Sequence, residues 1–144
     1  MDKFFCRLLL LSMLYGFSSC RAGEESKLND VVKSFSEAYF NWRFADALPY
    51  TDESSRSWLS FAASQVTQED VDSLRAMSSG AMCRLEEVVV DEGDTTAVAV
   101  VHVSDFMALD SIGKPRRVVP DAEYKLCLVL RGGEWKVRLD ALPR

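Results

Sequence analysis

The periodicity of the apolar residues changes once along this chain, and that change restricts the fold more than any other feature. Between residues 28 and 42, apolar side chains recur every three or four positions, the spacing of a helix that buries one face. From residue 81 onward, short apolar runs with alternating character replace that spacing and are typical of strands. Helices are therefore predicted to precede an antiparallel sheet. The helical positions are Leu28, Val31, Val32, Phe35, Ala38, Tyr39 and Trp42.

Two shorter helices are predicted between the first helix and the sheet. Pro49 disfavours a helical conformation at the residue before it. Thr51 is predicted to cap a second helix that runs to about Ser64. Thr67 and Asp70 have the spacing of a capping box, which predicts the start of a third helix.

Four strands are predicted after these helices. They cover residues 82–91, 95–106 and 122–131, and a last segment around Trp135. The pair Gly132-Gly133 predicts a tight hairpin between the last two strands. Three helices followed by an antiparallel meander give the α+β class, in which the helices pack on one face of the sheet.

The amino terminus is typical of a secretory signal peptide. Lys3 and Arg7 precede an apolar run that is shorter than the about 20 residues needed to span a bilayer. The stretch Phe17-Ser18-Ser19-Cys20 resembles the lipobox of bacterial lipoproteins, in which the cysteine is lipidated and becomes the first residue of the mature protein. Phe17 departs from the aliphatic residue that this motif prefers.

These features predict three segments. Residues 1–19 form a leader that is removed, residues 20–26 comprise a lipidated Cys20 and a short tether, and residues 27–144 form one α+β domain. The alternative is an ordinary signal peptide cut after Ala22, which would discard Cys20.

A lipid on Cys20 would attach the protein to a membrane in the cell envelope of a Gram-negative bacterium. Glu24 and Glu25 resemble the surface-export signal of some lipoproteins. The outer membrane is therefore favoured over the inner one, with the domain facing the periplasm or the cell surface.

Charge limits the partners. Loss of the leader leaves 15 basic and 21 acidic residues, a net charge of −6. Nucleic acid is excluded as a partner because phosphate binding needs clustered lysine and arginine. The one basic cluster, Lys114 with Arg116 and Arg117, is interpreted as a solvated hairpin tip that discourages edge pairing. Docking of an acidic partner or of lipid headgroups is the alternative.

The cysteines of the domain are predicted to stay unpaired. One predicted strand separates Cys83 from Cys127, and two strand spacings of about 4.8 Å exceed the Cα separation of about 7 Å that a disulfide spans. Two buried free thiols are therefore expected. Neither a metal site nor a cofactor site is predicted, since the chain has a single histidine, His102.

The order of these elements resembles the nuclear-transport-factor-2-like (NTF2-like) fold, and more narrowly small bacterial lipoproteins of that type. The likeness is carried by the stretch VVKSFSEAYFNWRFADALPY and by the ending GGEWKVRLDALPR. The resemblance implies a cone in which three helices and a curved four-stranded antiparallel sheet enclose a pocket.

Some proteins of that fold are isomerases or dehydratases, and the resemblance implies that in such an enzyme an aspartate or histidine in the pocket acts as general base. The candidates are Asp46, with Tyr50 beside it, His102, and Asp105 at the end of the second strand. His102 is assigned to the outer face of its strand, because the opposite face stays apolar over a longer run. A loop aspartate more often binds nearby backbone, so no residue is predicted to be catalytic.

The leading functional hypothesis is a non-enzymatic, membrane-tethered accessory domain. It would bind an envelope protein or a small apolar ligand through the open end of the cone or the sheet face. The alternatives are an isomerase- or dehydratase-like enzyme that uses the pocket, and a homodimer formed through the sheet face, as the resemblance implies. The aromatic residues are interpreted as core rather than pocket lining: Trp42, Trp58, Phe61 and Trp135.

Overall fold

The computed structural model describes residues 18–108 and 116–143, with side chains from residue 22 onward. A long helix comes first and three short ones follow it, with two single turns of 3-10 helix between the first two of these short helices. The helices are α1 (Ser18–Phe40), α2 (Phe44–Ala47), α3 (Arg56–Ser64) and α4 (Gln68–Ala76), and the 3-10 turns are Leu48–Tyr50 and Glu53–Ser55.

The four described strands form one antiparallel sheet in the order in which they follow one another along the chain. The α+β class, with helices before an antiparallel meander, is therefore confirmed. Gly132 and Gly133 both have positive φ, 56° and 80°, as the predicted hairpin requires. The strands are β1 (Met82–Val90), β2 (Thr96–Met107), β3 (Val118–Arg131) and β4 (Glu134–Arg138).

Strand β3 begins at Val118, earlier than the predicted residue 122. Pro120, which has no N–H for the ladder, falls where the β2–β3 pairing skips Asp105 on the other strand. Asp105 has φ 53°, so the pairing is interrupted at one residue of each strand and continues in the same register beyond it. Proline obscured this part of the strand in the sequence, because proline is normally evidence against a strand.

Helix α1 packs its apolar face on the inner face of the sheet. Phe35 and Val32 are fully buried against it, and the Phe35 ring stacks on Tyr39 with centroids 5.6 Å apart. Each such aliphatic or aromatic side chain contributes roughly 1.5–3 kcal/mol through burial. The described core lies entirely between Leu28 and Leu142. A chain of residues 21–144, called the soluble domain below, therefore contains all of the described core.

Helix α1 begins earlier than predicted. Residues 21–26, expected to form a tether, are helical and continuous with the rest of α1. Alanine, glutamate and lysine favour helix in this segment, and Lys27 pairs with Glu24 at 3.4 Å, one turn away. Residues 1–17 of the predicted leader lie outside the described residues. No helix that the structure describes is long and apolar enough to span a bilayer.

Trp42 ends α1 in a conformation that usually selects glycine. Its φ is 60°, and the amide of Arg43 donates to the Ala38 carbonyl at 2.8 Å, as in a Schellman motif. The indole Nε1 donates to the Met107 carbonyl at 2.9 Å, and the Arg116 guanidinium lies 5.3 Å from the ring centre. These contacts offset the strain and fasten the end of α1 to the end of β2.

Thr51 does not cap the second helix, contrary to the prediction. Its hydroxyl donates to the Ala47 carbonyl at 2.8 Å, and its backbone forms a parallel bridge with Val137 of β4. Helix α3 begins only at Arg56, after a 3-10 turn. Pairing with a strand 86 positions later cannot be read from the local pattern around Thr51.

The capping box of the third predicted helix is confirmed, and it belongs to a larger buried cluster. The Thr67 hydroxyl accepts the Asp70 amide, and the Asp70 carboxylate accepts the Thr67 amide at 2.9 Å. Arg116 Nε lies 3.2 Å from the same carboxylate, and both side chains are almost fully buried. The prediction of a solvated basic tip is therefore wrong for Arg116. Arg117 is exposed, and Lys114 lies outside the described residues.

Asp70 is ionised in this cluster. Burial alone would raise the pKa of its carboxyl group, but the hydrogen bonds from Thr67 and the charge of Arg116 outweigh burial and hold that pKa below its usual value.

Replacement of Asp70 by asparagine should lower the free energy of unfolding of the soluble domain by about 2 to 4 kcal/mol at pH 7, because buried Arg116 loses its carboxylate. The folded-state pKa lies below the unfolded value of about 3.9. The carboxylate's contribution is thus complete above that value and is lost as pH falls through the folded pKa. Urea unfolding at pH 7 and at about pH 3 should therefore show a large and then a reduced difference.

Asp72→Asn is the matched control, because Asp72 lies on the exposed side of the same helix. It should change the free energy of unfolding by less than about 0.5 kcal/mol. A loss for Asp70→Asn that is equally large at both pH values would contradict the role given to its charge.

Candidate functional site

A groove of about 630 Å³ lies between the start of α1 and the inner face of the sheet. Its walls are apolar and come from three elements, α1, β1 and the β3–β4 hairpin. Exposed carboxylates from α1 and from the β1–β2 turn complete its lining. The apolar wall consists of Leu28, Val88, Val90, Leu130 and Trp135, and the carboxylates belong to Glu24, Glu25 and Asp94.

Local sequence features place these residues. Leu28 is the first apolar position of the α1 stripe, and Glu24 and Glu25 precede it by about one turn. A bulge between Leu85 and Glu87 shifts the register of β1. As a result Val88 and Val90 face α1, although strict alternation from Leu85 would have turned them outward.

Trp135 forms part of the apolar wall. Its side chain is buried, with 6% of the residue exposed, and its Nε1–H has no hydrogen-bond acceptor within the described part of the chain. Most buried polar groups have a partner. An acceptor on a ligand in the groove would therefore find an unused donor in this wall. The prediction that Trp135 is core rather than lining is thus too simple, since it is both. The same prediction is wrong for Phe61, which is 45% exposed on α3.

A second cavity, of about 210 Å³, lies between α1 and the β1–β2 part of the sheet. Asn29 and Ser36 line it, and their side-chain oxygens Oδ1 and Oγ have no partner among the described residues. Cys83 contributes to the opposite wall. This space suits a few water molecules or a small polar group, which would satisfy both oxygens.

The third cavity is a charged cleft of about 610 Å³ between the segment that leads into α3 and the β3–β4 hairpin. Arg131, Lys136 and Arg56 line it together with Asp52 and Glu53. The hydroxyl of Ser54 donates to Asp52, and Arg131 Nε lies 3.3 Å from that carboxylate. The Ser54 hydrogen bond foremost, and the Arg131 charge, hold the pKa of Asp52 below its usual value against the opposing effect of burial.

The two cysteines of the sheet are unpaired, as predicted. The prediction that both are buried is wrong for Cys127, which is exposed because it lies on the outer face of β3 in register with Val98. Cys83 faces α1, and burial raises the pKa of its thiol to about 12, with a smaller effect from Glu37. Cys83 is therefore protonated and a poor nucleophile at neutral pH.

The residues proposed from the fold resemblance are not brought together in these cavities. Asp46 is exposed and lies 3.8 Å from Arg43 in a surface ion pair. Tyr50 is half-buried against the core, and Asp105 is exposed where the β2–β3 pairing is interrupted. None of these, nor His102, lines any of the three cavities described above.

His102 lies on the outer face of β2, as predicted. It is in register with Arg84 on β1 and with Glu123 on β3. The next outward residue of β2, Val100, is in register with Glu87 and Lys125. Beside His102 the positive charge lies on β1 and the negative charge on β3. Beside Val100 the order is reversed, with the negative charge on β1 and the positive charge on β3. Among the described residues there is no group of three or more histidine, cysteine or acidic side chains placed to hold a metal.

The groove was not predicted from the sequence. Its residues were noted for other reasons, Leu28 as a helix position and Glu24 with Glu25 as an export signal. The signal that was available is the change within α1 from carboxylates to apolar residues at Leu28. The bulge that brings Val88 and Val90 to the same place is a tertiary feature.

No protein-family model matches the chain, and no curated protein matches it. Two solved structures are similar to it. One, assigned as an NTF2-like transpeptidase from Campylobacter jejuni, is 19% identical, with 78% of this chain and 97% of that chain covered and a TM-score of 0.49. The other, assigned as a polyketide cyclase from Xanthomonas campestris pv. campestris, is 16% identical, with 81% and 93% covered and a TM-score of 0.36. Neither likeness assigns an activity to this chain.

Proposed function

We propose that this protein is an envelope lipoprotein, anchored through Cys20, whose α+β domain binds a small apolar ligand without transforming it. The observation that carries the ligand-binding proposal is the groove of about 630 Å³ with its continuous apolar wall. Ligand pockets in proteins have volumes of about 300–1,000 Å³ and mostly apolar walls with a few polar groups. An apolar molecule in this groove would contact Leu28, Val90 and Trp135.

The groove lies next to the proposed anchor. Cys20 and Glu24 belong to the same helix, and four residues span about 6 Å along a helix axis. A lipid at Cys20 would hold this end of the domain at the membrane surface. A ligand that partitions into the bilayer would therefore be concentrated where the groove opens.

Binding without catalysis is supported by the chemistry of the walls. The ionisable groups that line the groove are exposed carboxylates at its edge, and Cys83 in the neighbouring cavity holds its proton firmly. The candidate bases lie outside the groove: Asp46 pairs with Arg43 at the surface, and His102 lies on the outer face of β2. An enzymatic role as isomerase or dehydratase would need a base beside a water-poor cavity, and no observation on the described residues favours that role.

We also propose that the outer face of the sheet associates with a second copy of itself. Arg84 and Glu123 lie on opposite sides of β2 in one row, and Glu87 and Lys125 lie on opposite sides in the next. A two-fold axis parallel to β2, between the two outer faces, would place β1 of one copy over β3 of the other. Arg84 would then face Glu123 of the second copy.

The same operation would place Glu87 opposite Lys125 of the second copy, so each of the four charges would face an opposite charge. Arg84 would do so in addition to its ion pair with Glu86 at 2.6 Å. Apolar side chains are available between the four charges, since Val98 and Val100 are half-exposed and Val89 is 52% exposed. The face is therefore complementary to itself in both charge and polarity, which favours a homodimer over an acidic or basic protein partner.

The anchor can be tested directly. Cys20→Ala should abolish incorporation of labelled fatty acid and release the protein from membranes, because the thiol is the proposed attachment point. Labelling in cells and membrane fractionation measure the two effects. Cys83→Ala is the matched control and should leave both unchanged. Retention of label by the Cys20 variant would contradict the anchor.

Binding in the groove can be tested with the neutral probe N-phenyl-1-naphthylamine, whose fluorescence rises in apolar sites. The soluble domain should enhance it, and Val90→Arg should weaken binding by about tenfold or more, because a charge would enter the apolar wall. Val89→Arg is the matched control, since its side chain lies on the opposite face. Equal binding by both variants would contradict the location, and no enhancement by the unmodified domain would contradict the function.

Self-association can be tested by charge reversal and sedimentation equilibrium of the soluble domain. Arg84→Glu and Glu123→Lys should each weaken the dimer by about tenfold, because like charges would face each other. The double variant should recover most of the loss. Arg75→Glu, an exposed change on α4, should have no effect. A domain that stays monomeric at every concentration, or a double variant no better than the single ones, would contradict the proposed face.

A further inference from the structure

We propose that the ligand of the groove is a cationic amphiphile, an apolar chain that ends in an ammonium group. This inference rests on the proposed function, because it names the chemical class of the molecule that the same groove binds. The arrangement of charge around the apolar wall carries it.

The charges that line the groove are all negative. Glu24, Glu25 and Asp94 are exposed carboxylates, and no lysine, arginine or histidine joins them in the lining. Lys27 pairs with Glu24 at 3.4 Å on the exposed side of α1 and neutralises part of this charge. The opening thus retains a negative field, into which an ammonium group would be drawn.

This charge pattern is particular to the groove. The cavity beside Asn29 has one acid and one base in its lining, Asp30 and Lys33. The cleft beside Asp52 has more cations than acids. Neither of these favours a positively charged ligand, so the selectivity does not simply follow from the acidic composition of the chain.

The apolar wall and the carboxylates suit the two ends of one molecule. Each methylene that enters the wall adds about fourfold to affinity, while an ammonium group beside exposed carboxylates keeps much of its hydration. A fatty acid of equal length would fill the same wall but bring its carboxylate toward Glu24, Glu25 and Asp94. Repulsion there excludes the anionic analogue, which makes the opening a source of specificity.

Trp135 supplies a second observation that points to a ligand. Its buried Nε1–H lacks an acceptor among the described residues, although the side chain lines the groove. A hydroxyl or carbonyl oxygen within the apolar body of the ligand would accept this hydrogen bond. The natural ligand is therefore expected to carry an acceptor between its chain and its ammonium group.

The test is a competition between two amphiphiles of equal length and opposite charge. Decylamine and decanoate are titrated against N-phenyl-1-naphthylamine bound to the soluble domain at pH 7, with circular dichroism to confirm the fold of each variant. Decylamine should displace the probe at a concentration about tenfold lower than decanoate, the preference expected from a few partly screened charges.

The triple variant Glu24→Gln, Glu25→Gln, Asp94→Asn should reduce that ratio to about threefold or less, because the charges that discriminate are gone. Asp94 has φ 52°, which asparagine tolerates. The matched control Glu69→Gln, Asp72→Asn, Asp140→Asn removes the same net charge from exposed positions outside the groove and the outer face of the sheet and should keep the tenfold preference.

The outcomes separate the two proposals. If the probe binds and decanoate displaces it as well as decylamine does, the cationic ligand is wrong while the apolar groove stands. If the control variant loses the preference as fully as the groove variant, the selectivity comes from net charge and the inference is again wrong. If the probe does not bind the folded domain, the proposed function fails and this inference fails with it.

Discussion

The packing of α1 across the inner face of the sheet is the contact on which the rest of the structure depends. Small residues on β2, Ala97 and Ala99, leave room for the large side chains of the helix, and Phe35 and Val32 are fully buried there. This contact aligns the helix with the strands and leaves the charged side of α1 in water. The groove begins where the contact ends, because α1 carries Glu24 and Glu25 in place of apolar residues before Leu28.

Buried polar groups divide the molecule into two kinds of region. At the far end of the sheet they are satisfied, as in the cluster of Asp70, Thr67 and Arg116, and such clusters hold elements in place. Between α1 and the sheet, the described groups Asn29 Oδ1, Ser36 Oγ and Trp135 Nε1 lack partners. Unsatisfied groups near a cavity are costly for folding alone. They are therefore consistent with a region selected for contact with another molecule.

The two faces of the sheet support different proposals for a simple geometric reason. Alternate residues of a strand point in opposite directions, so the inner residues of β1 build the groove while the outer ones, with those of β3, carry the reciprocal charges. A dimer through the outer face would leave the groove open, and a ligand in the groove would leave the outer face unchanged. Binding and self-association are thus separable by mutations at adjacent positions such as 89 and 90.

Much of the fold could be predicted from the sequence, because periodicity reports which face of an element is buried. The phase of α1, the capping box at Thr67, the hairpin at Gly132 and the outward position of His102 all follow from short-range patterns. Helix α1 begins earlier than predicted, because lysine and glutamate in the segment before Leu28 favour helix. The small and polar residues of that segment had led to the prediction of a tether.

What the sequence by itself determined is the α+β class and the order of its elements, while lipidation at Cys20 stays a prediction. Only the tertiary structure decided which distant residues meet: the bridge that takes Thr51 away from its helix, the burial of Arg116 against Asp70, and the bulge that turns Val88 and Val90 toward Leu28. The physical reason is range. Helix and strand patterns arise from neighbours within a few positions, whereas a groove needs side chains from three elements whose register is set by packing alone.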